Sequence, residues 1–228
     1  MTENTIGIPL RSIRRKEVLQ YLNWRGSPIP PDIDCLIDKA ITETIQSVHP
    51  LGIRKTVTVA DGPLLEEIGL ALPGSDIAAL LRDCRKAVLF AVTLGNSAER
   101  LIRSYSARDL SYSVILDSCC SAAVESVCDA LEEEIRSGLD EGLFLTDRFS
   151  PGYGDLPLSL QEPLIDALDT RRRIGLTLTD SCILFPRKSV TGIIGIADRP
   201  QTGRFRGCAF CSMFERCTYR KAGNYCGK

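Results

Sequence analysis

The stretch DRFSPGYGDLPLSLQEPL, Asp147 to Leu164, sets Arg148 five residues ahead of Tyr153, with Pro151 and Gly152 between them. Proline presets φ and glycine tolerates positive φ, so the pair marks a tight turn. Gly154 and Pro157 follow, and Ser159 with Glu162 then spells an S-x-x-E capping box for a helix expected over 160–170. The bland reading is a turn with a solvated arginine and a tyrosine capping the core. The functional reading is a ligand site. Arginine offers a planar fork of donors for a carboxylate, a glycine-rich turn offers backbone amides and close approach, and tyrosine adds a ring and a hydroxyl. Such a set suits a zwitterionic or adenine-bearing ligand, such as an amino-acid nucleoside.

Upstream of the turn, SVILDSCCSAAVESVCDALEEEIRSG carries the strongest helical pattern in the chain. Val124, Val127, Cys128, Leu131 and Ile135 repeat at helical spacing, and Gly138 suits the end. AVLFAVTLG (Ala87–Gly95) is a nearly continuous apolar run, which predicts a strand central in its sheet. Asn96 or Ser97 would cap the next helix, and Ser75 would cap another over GSDIAALLRDC, with Cys84 turned inward. KTVTVAD alternates as a strand does. Nearer the start, KEVLQYL and PPDIDCLIDKAITETIQSV predict N-terminal helices within about 11–50, the second with Ile33, Ile37, Ile41, Ile45 and Val48 on one stripe. Downstream, IGLTLTDSCILFPRKSVTGIIGIAD supplies short strands broken at Pro186. Helices and strands do not alternate regularly, so the class expected is α+β, a mixed or antiparallel sheet with helices.

The 228 residues are 44% hydrophobic and 25% charged, the composition of a globular chain with a real core. The net charge of −1 hides a split. From Arg199 onward there are seven Lys or Arg against one acidic residue, Glu215, a charge of +6, which leaves the rest at −7. Periodicity also fades after residue 199, so the expected organisation is a body over 1–199 and a tail over 200–228. MTENTIGIPL has no apolar core of useful length, and no uncharged apolar run approaches a membrane span, so the expected compartment is the cytoplasm.

Ten cysteines in a reducing compartment pack, ligate metal or do redox chemistry. Cys35, Cys84, Cys119, Cys120 and Cys128 fall in helical patterns and are expected in the core, as is Cys182 in its own block. The tail GCAFCSMFERCTYRKAGNYC holds Cys208, Cys211, Cys217 and Cys226, a C-x2-C-x5-C-x8-C spacing too dense for core packing. Four thiolates suit zinc or an iron–sulfur cluster, and the spacing does not choose. Other chemistries find no support. The glycine-rich nucleotide motifs are absent. His49 is the one histidine and sits beside Pro50 at an expected helix end, so Ser–His and Cys–His nucleophile pairs are disfavoured.

Arg148 to Tyr153 resembles the R-x-x-P-G-Y signature of the activation domain of vitamin B12-dependent methionine synthase. GLTLTDSCILFPRKSVTG (Gly175–Gly192) is similar to that family's G-x-x-L-T-[DE]-S-x-x-x-x-P-x-x-S-V-[ST]-G block, and Glu125 stands where the family's helix carries a ligand-binding glutamate. The likeness runs over about Val114 to Ala197. It implies an S-adenosylmethionine site made by Arg148, Tyr153 and Glu125, with Ser150 and Gly152 contributing mostly backbone. Arg148 would pair with the methionyl carboxylate, and Glu125 would offset the ammonium or sulfonium charge. Where the family has a further tyrosine, this chain reads DRPQTGRF (Asp198–Phe205).

The resemblance further implies reactivation of a cobalamin-dependent methyltransferase. One electron reduces cob(II)alamin, and a methyl group from S-adenosylmethionine traps the product as methylcobalamin. Nothing here matches the D-x-H-x-x-G corrinoid loop, so cobalamin would sit on a partner chain, a cobalamin-binding methionine synthase or another corrinoid protein. The electron would come from an electron-transfer partner or from an iron–sulfur centre at the four tail cysteines. Two rival readings are a non-catalytic S-adenosylmethionine-binding or docking module, and a small zinc-containing nucleic-acid binder using the basic, aromatic tail. The acidic body argues against the last, and no membrane association is expected.

Overall fold

The computed structural model describes residues 4–24, 28–201, 214–221 and 223. The elements run β1 (Asn4–Gly7), α1 (Arg15–Tyr21), α2 (Pro31–Ser47), β2 (Leu51–Ala60), β3 (Leu64–Leu65), β4 (Leu70–Ala71), α3 (Ser75–Leu81), β5 (Cys84–Thr93), α4 (Asn96–Ser106) and α5 (Leu110–Ser137). Then come β6 (Phe144–Leu145), α6 (Gln161–Ala167), α7 (Thr170–Ile174), β7 (Thr177–Leu178), β8 (Leu184–Phe185), β9 (Ser189–Ala197) and α8 (Thr218–Lys221). Of the expected metal ligands, Cys208, Cys211 and Cys226 lie outside the described residues.

Among the described residues the main sheet has the order β4-β3-β2-β5-β9-β6, with β1 added to the free side of β2. Its pairings are all antiparallel. β5 lies between β2 and β9, which explains its unbroken apolar run. Val88, Phe90 and Val92 point into one core with α1, α2, α4 and α5, while Leu89 and Ala91 point into another with α3, α6 and α7. A strand covered on both faces needs no polar positions. The class is thus the α+β, antiparallel arrangement expected.

α5 is the keystone of the first core. It runs 28 residues and buries Val124, Val127, Cys128, Leu131 and Ile135, the expected stripe. Its N-cap is Asp109, whose side chain accepts from Tyr112 N at 2.9 Å. No helix among the described residues is long and apolar enough to cross a membrane.

Several local expectations are corrected. α3 and α4 are preceded by Gly74 and Gly95 at the cap position, with no capping side chain of their own. Ser75 instead is the first helical residue and is itself held by Asp155, 80 positions away. The helix expected over 160–170 is shorter, with a 3-10 turn at Leu158–Leu160 followed by α6, and Ser159 and Glu162 make no capping box. Cys35 is exposed, and Cys84 opens β5 instead of closing a helix. Cys84 is nevertheless buried in the core as expected, whereas at Cys35 tertiary packing decided the side. Cys119, Cys120 and Cys128 are buried on α5 as expected, and His49 is exposed beside the end of α2.

Candidate functional site

After β6 the chain stays extended along β9. Thr146 N donates to Gly195 O at 3.0 Å, and Gly195 N donates to Thr146 Oγ1 at 2.8 Å. Phe149 and Ile193 exchange two backbone bonds, at 2.9 and 2.8 Å. This close approach needs glycines in β9. A Cβ on Gly195 would stand 2.8 Å from Thr146 Cγ2, and one on Gly192 would stand 3.2 Å from Phe149 O. The two similar sequence blocks, Arg148–Tyr153 and Gly175–Gly192, are therefore halves of one construction. The second supplies the strand against which the first is zipped.

Extended backbone sends successive side chains to opposite faces. Phe149 enters the core with α3 and α6, so Arg148 points the other way, towards α5. There its guanidinium meets a ladder of carboxylates one helical turn apart: Glu125 at 3.4 Å, Asp129 at 2.9 Å and Glu132 at 3.5 Å. Positions 125, 129 and 132 share one helix face. The Arg148 side chain is only 15% exposed. Burial works against its charge, and the surrounding negative groups more than offset that, so its pKa lies above the ordinary value. The solvated arginine of the bland reading is excluded.

Asp129 also receives Arg14 at 2.5 Å, and Arg14 in turn holds Glu17 at 2.7 Å. This joins α1 to the ladder. Tyr21, at the end of α1, has its phenol pushed up to about 12 by burial and then by the charges of Glu125 and Glu17. Asp129, Glu132, Arg14 and Tyr21 were not anticipated. The first two follow from helical arithmetic once Glu125 is placed, whereas the α1 residues carry no signal visible in the chain.

The turn itself departs from expectation in one respect. Gly152, at φ +86°, donates its N–H to Leu156 O at 2.9 Å, and Tyr153 N donates to Ser150 O at 3.0 Å. These amides are engaged inside the turn, so they are not offered to a ligand. Ser150 Oγ donates to Thr191 O at 2.7 Å, a side-chain tie to β9 beside the mostly backbone role expected of it. The Tyr153 ring stands edge-on to the buried Phe149 ring, centroids 5.4 Å apart, and remains 38% exposed. Of the five expected ligand contacts, Arg148 and Glu125 are brought together, and Ser150, Gly152 and Tyr153 form the turn beside them.

Other features lie apart from this site. A cleft of about 640 Å³ between α6, α7 and the β7–β8 hairpin is lined by Glu162, Asp166, Asp169, Asp180, Arg171 and Cys182 among others. A second, of about 550 Å³, lies between the segment before α1 and the outer face of α5, and reaches Arg14 and Asp129. In the tail, Cys217 is half-buried, and its sulfur accepts Arg220 N at 3.4 Å.

Comparison with known proteins agrees with this fold. In fold the chain is similar to a crystal structure of the MetH reactivation domain bound to AdoHcy, with a TM-score of 0.67 and 13% identity over 98% of this chain and 86% of that one. The family described as vitamin B12 dependent methionine synthase, activation domain, matches residues 83–206. That span holds β5, α5, the Arg148 turn and β9, more than half of the sequence, and the chain belongs to this activation-domain family.

Proposed function

We propose that this chain binds S-adenosylmethionine between the Arg148–Tyr153 turn and α5, and supports reductive methylation of cobalamin carried by a separate methionine synthase or other corrinoid protein. The observation that carries the reading is the largely enclosed Arg148, its side chain 15% exposed, facing Glu125, Asp129 and Glu132. A methionyl group bears a carboxylate beside an ammonium and a sulfonium. One guanidinium embedded among carboxylates matches that pattern, the cation for the acid group and the ladder for the positive ones. The similar MetH domain binds AdoHcy, the demethylated form of the same nucleoside.

In this reading the bound nucleoside supplies an electrophilic methyl group on its sulfonium. The protein's part is positional. Arg148 holds the amino-acid end, Glu125 faces the cationic end, and Tyr153 presents a ring at the surface on its Phe149 pedestal. Orientation of this kind replaces a diffusive encounter with a fixed geometry towards the partner's cobalt.

Calorimetric titration of S-adenosylmethionine tests this. Wild type binds, and Arg148→Ala loses about 1.5–3 kcal/mol of affinity, the range for a hydrogen bond to a charged group. Glu125→Gln, which keeps shape and removes charge, serves if Arg148→Ala does not fold. Absence of binding to wild type, or equal binding by wild type and both variants, contradicts the reading.

We propose in addition that Cys208, Cys211, Cys217 and Cys226 hold one metal centre, zinc as a structural clip or an iron–sulfur cluster delivering the electron. In support, the Cys217 sulfur accepts a backbone N–H, the kind of bond that stabilises a ligating thiolate. Iron and sulfide in equal amounts after anaerobic purification would support electron delivery; zinc alone would exclude it.

A further inference from the structure

The turn is anchored at two ends, and only one anchor lies in the recognised signature. The Arg148 end is zipped to β9. The Tyr153 end is fastened to α3 through Asp155. One carboxylate accepts Ser75 N at 2.5 Å, Ser75 Oγ at 2.8 Å and Asp76 N at 3.2 Å. The first amides of a helix have no internal partners, so a carboxylate there gains hydrogen bonds and a favourable dipole.

The fit is reciprocal. Gly74, at φ +133°, lies where any Cβ would come within 2.5 Å of Asp155 Oδ1. Gly154, at φ +54°, lies where a Cβ would strike the Asp76 carboxylate and approach Phe149 Cζ to 3.2 Å. Each segment thus uses a glycine to admit the other's acidic side chain. α3 is a firm base, since Ile77, Leu80 and Leu81 are buried against the sheet. The turn closes tightly across the anchor, with Leu156 N donating to Tyr153 O at 3.1 Å and Leu156 itself buried. Wherever Asp155 is held, Tyr153 follows.

We propose that Asp155 is a positioning residue of the ligand site, fixing Tyr153 by docking the turn on the first residues of α3. This rests on the S-adenosylmethionine reading and adds to it a residue outside the R-x-x-P-G-Y signature, with a partner segment some 80 positions upstream. Asp155 acts through the turn and does not touch the nucleoside.

The test pairs two measurements on the full chain: S-adenosylmethionine affinity by calorimetry, and hydrogen exchange at the Gly152, Tyr153 and Leu156 amides. Asp155→Ala weakens affinity and accelerates exchange at those amides, each by about tenfold, on the scale of a lost helix cap. Asp155→Asn keeps an acceptor oxygen and recovers most of both. A merely structural aspartate would speed local exchange yet leave affinity unchanged once the variant is folded, and that result overturns the proposal. If Asp155→Ala does not fold, Ser75→Ala decides, with a shift of about two- to threefold expected and no shift overturning it. If wild type fails to bind the nucleoside, the functional reading falls and exchange alone judges the anchor: acceleration supports it, unchanged rates overturn it.

Discussion

Two acidic regions of this protein invite comparison. The cleft between α6, α7 and the β7–β8 hairpin gathers Glu162, Asp166, Asp169 and Asp180, and it is the roomier of the two clefts. The α5 ladder gathers Glu125, Asp129 and Glu132 around one guanidinium. What separates them is the cation. In the cleft region Asp169, at the cap of α7, pairs with Arg172, whose side chain is 79% exposed, and more loosely, at 3.9 Å, with Arg173, both within four residues of it. On the ladder Arg148 is 15% exposed and arrives from a different part of the chain, carried there by an edge strand. Exposed local pairs contribute little, because water competes for both charges. A buried cation cannot leave its carboxylates without stranding charge. Acidity alone does not make a site; topology that commits a cation to it does.

The sharpest way to break that comparison is to remove each cation. Arg148→Ala is expected to lower unfolding free energy by about 3 kcal/mol, since three carboxylates then lose their shared partner. Arg172→Ala is expected to change it by about 0.5 kcal/mol or less. Urea titrations of the two variants decide, and equal losses would erase the distinction.

A smaller effect sharpens the contrast between the inner and outer faces of α5. Burial pushes the Cys119 thiol up to about 12, and the same cause raises Cys120 to about 12. The ordinary value is 9.0, so the folded state holds these protons after the unfolded state has released them. Their stabilising contribution is complete below pH 9.0 and is lost as pH rises towards about 12. The urea midpoint should fall over that window. At pH 8, iodoacetamide should label exposed Cys35 and spare Cys119 and Cys120 until denaturant is added. Labelling of all three in the native protein would contradict the packing of α5.

How much of this was readable beforehand depends on the distance between the residues that make each feature. α5 and β5 could be recognised because their patterns are local: one stripe at helical spacing, one unbroken apolar run. Arg148, Tyr153 and Glu125 were found through a signature. Asp129 and Glu132 were hidden in a run of acids that reads as a solvated helix face until a cation is known to approach it. The caps failed for a related reason. Ser75 looked like a local cap, and it is instead held by Asp155, a contact that no window of sequence spans. Gly192 and Gly195 of β9 carry no local signal either: a Cβ there would meet Phe90 or Cys84 of β5 and Phe149 O or Thr146 of the signature strand, neighbours set by the sheet.

The most direct test of the central claim is the structure of this protein with S-adenosylmethionine bound. The account predicts the methionyl carboxylate against the Arg148 guanidinium, the ammonium or sulfonium turned to Glu125, and the Tyr153 ring beside the ligand. A nucleoside lodged elsewhere, with Arg148 still enclosed by Glu125, Asp129 and Glu132, would contradict it.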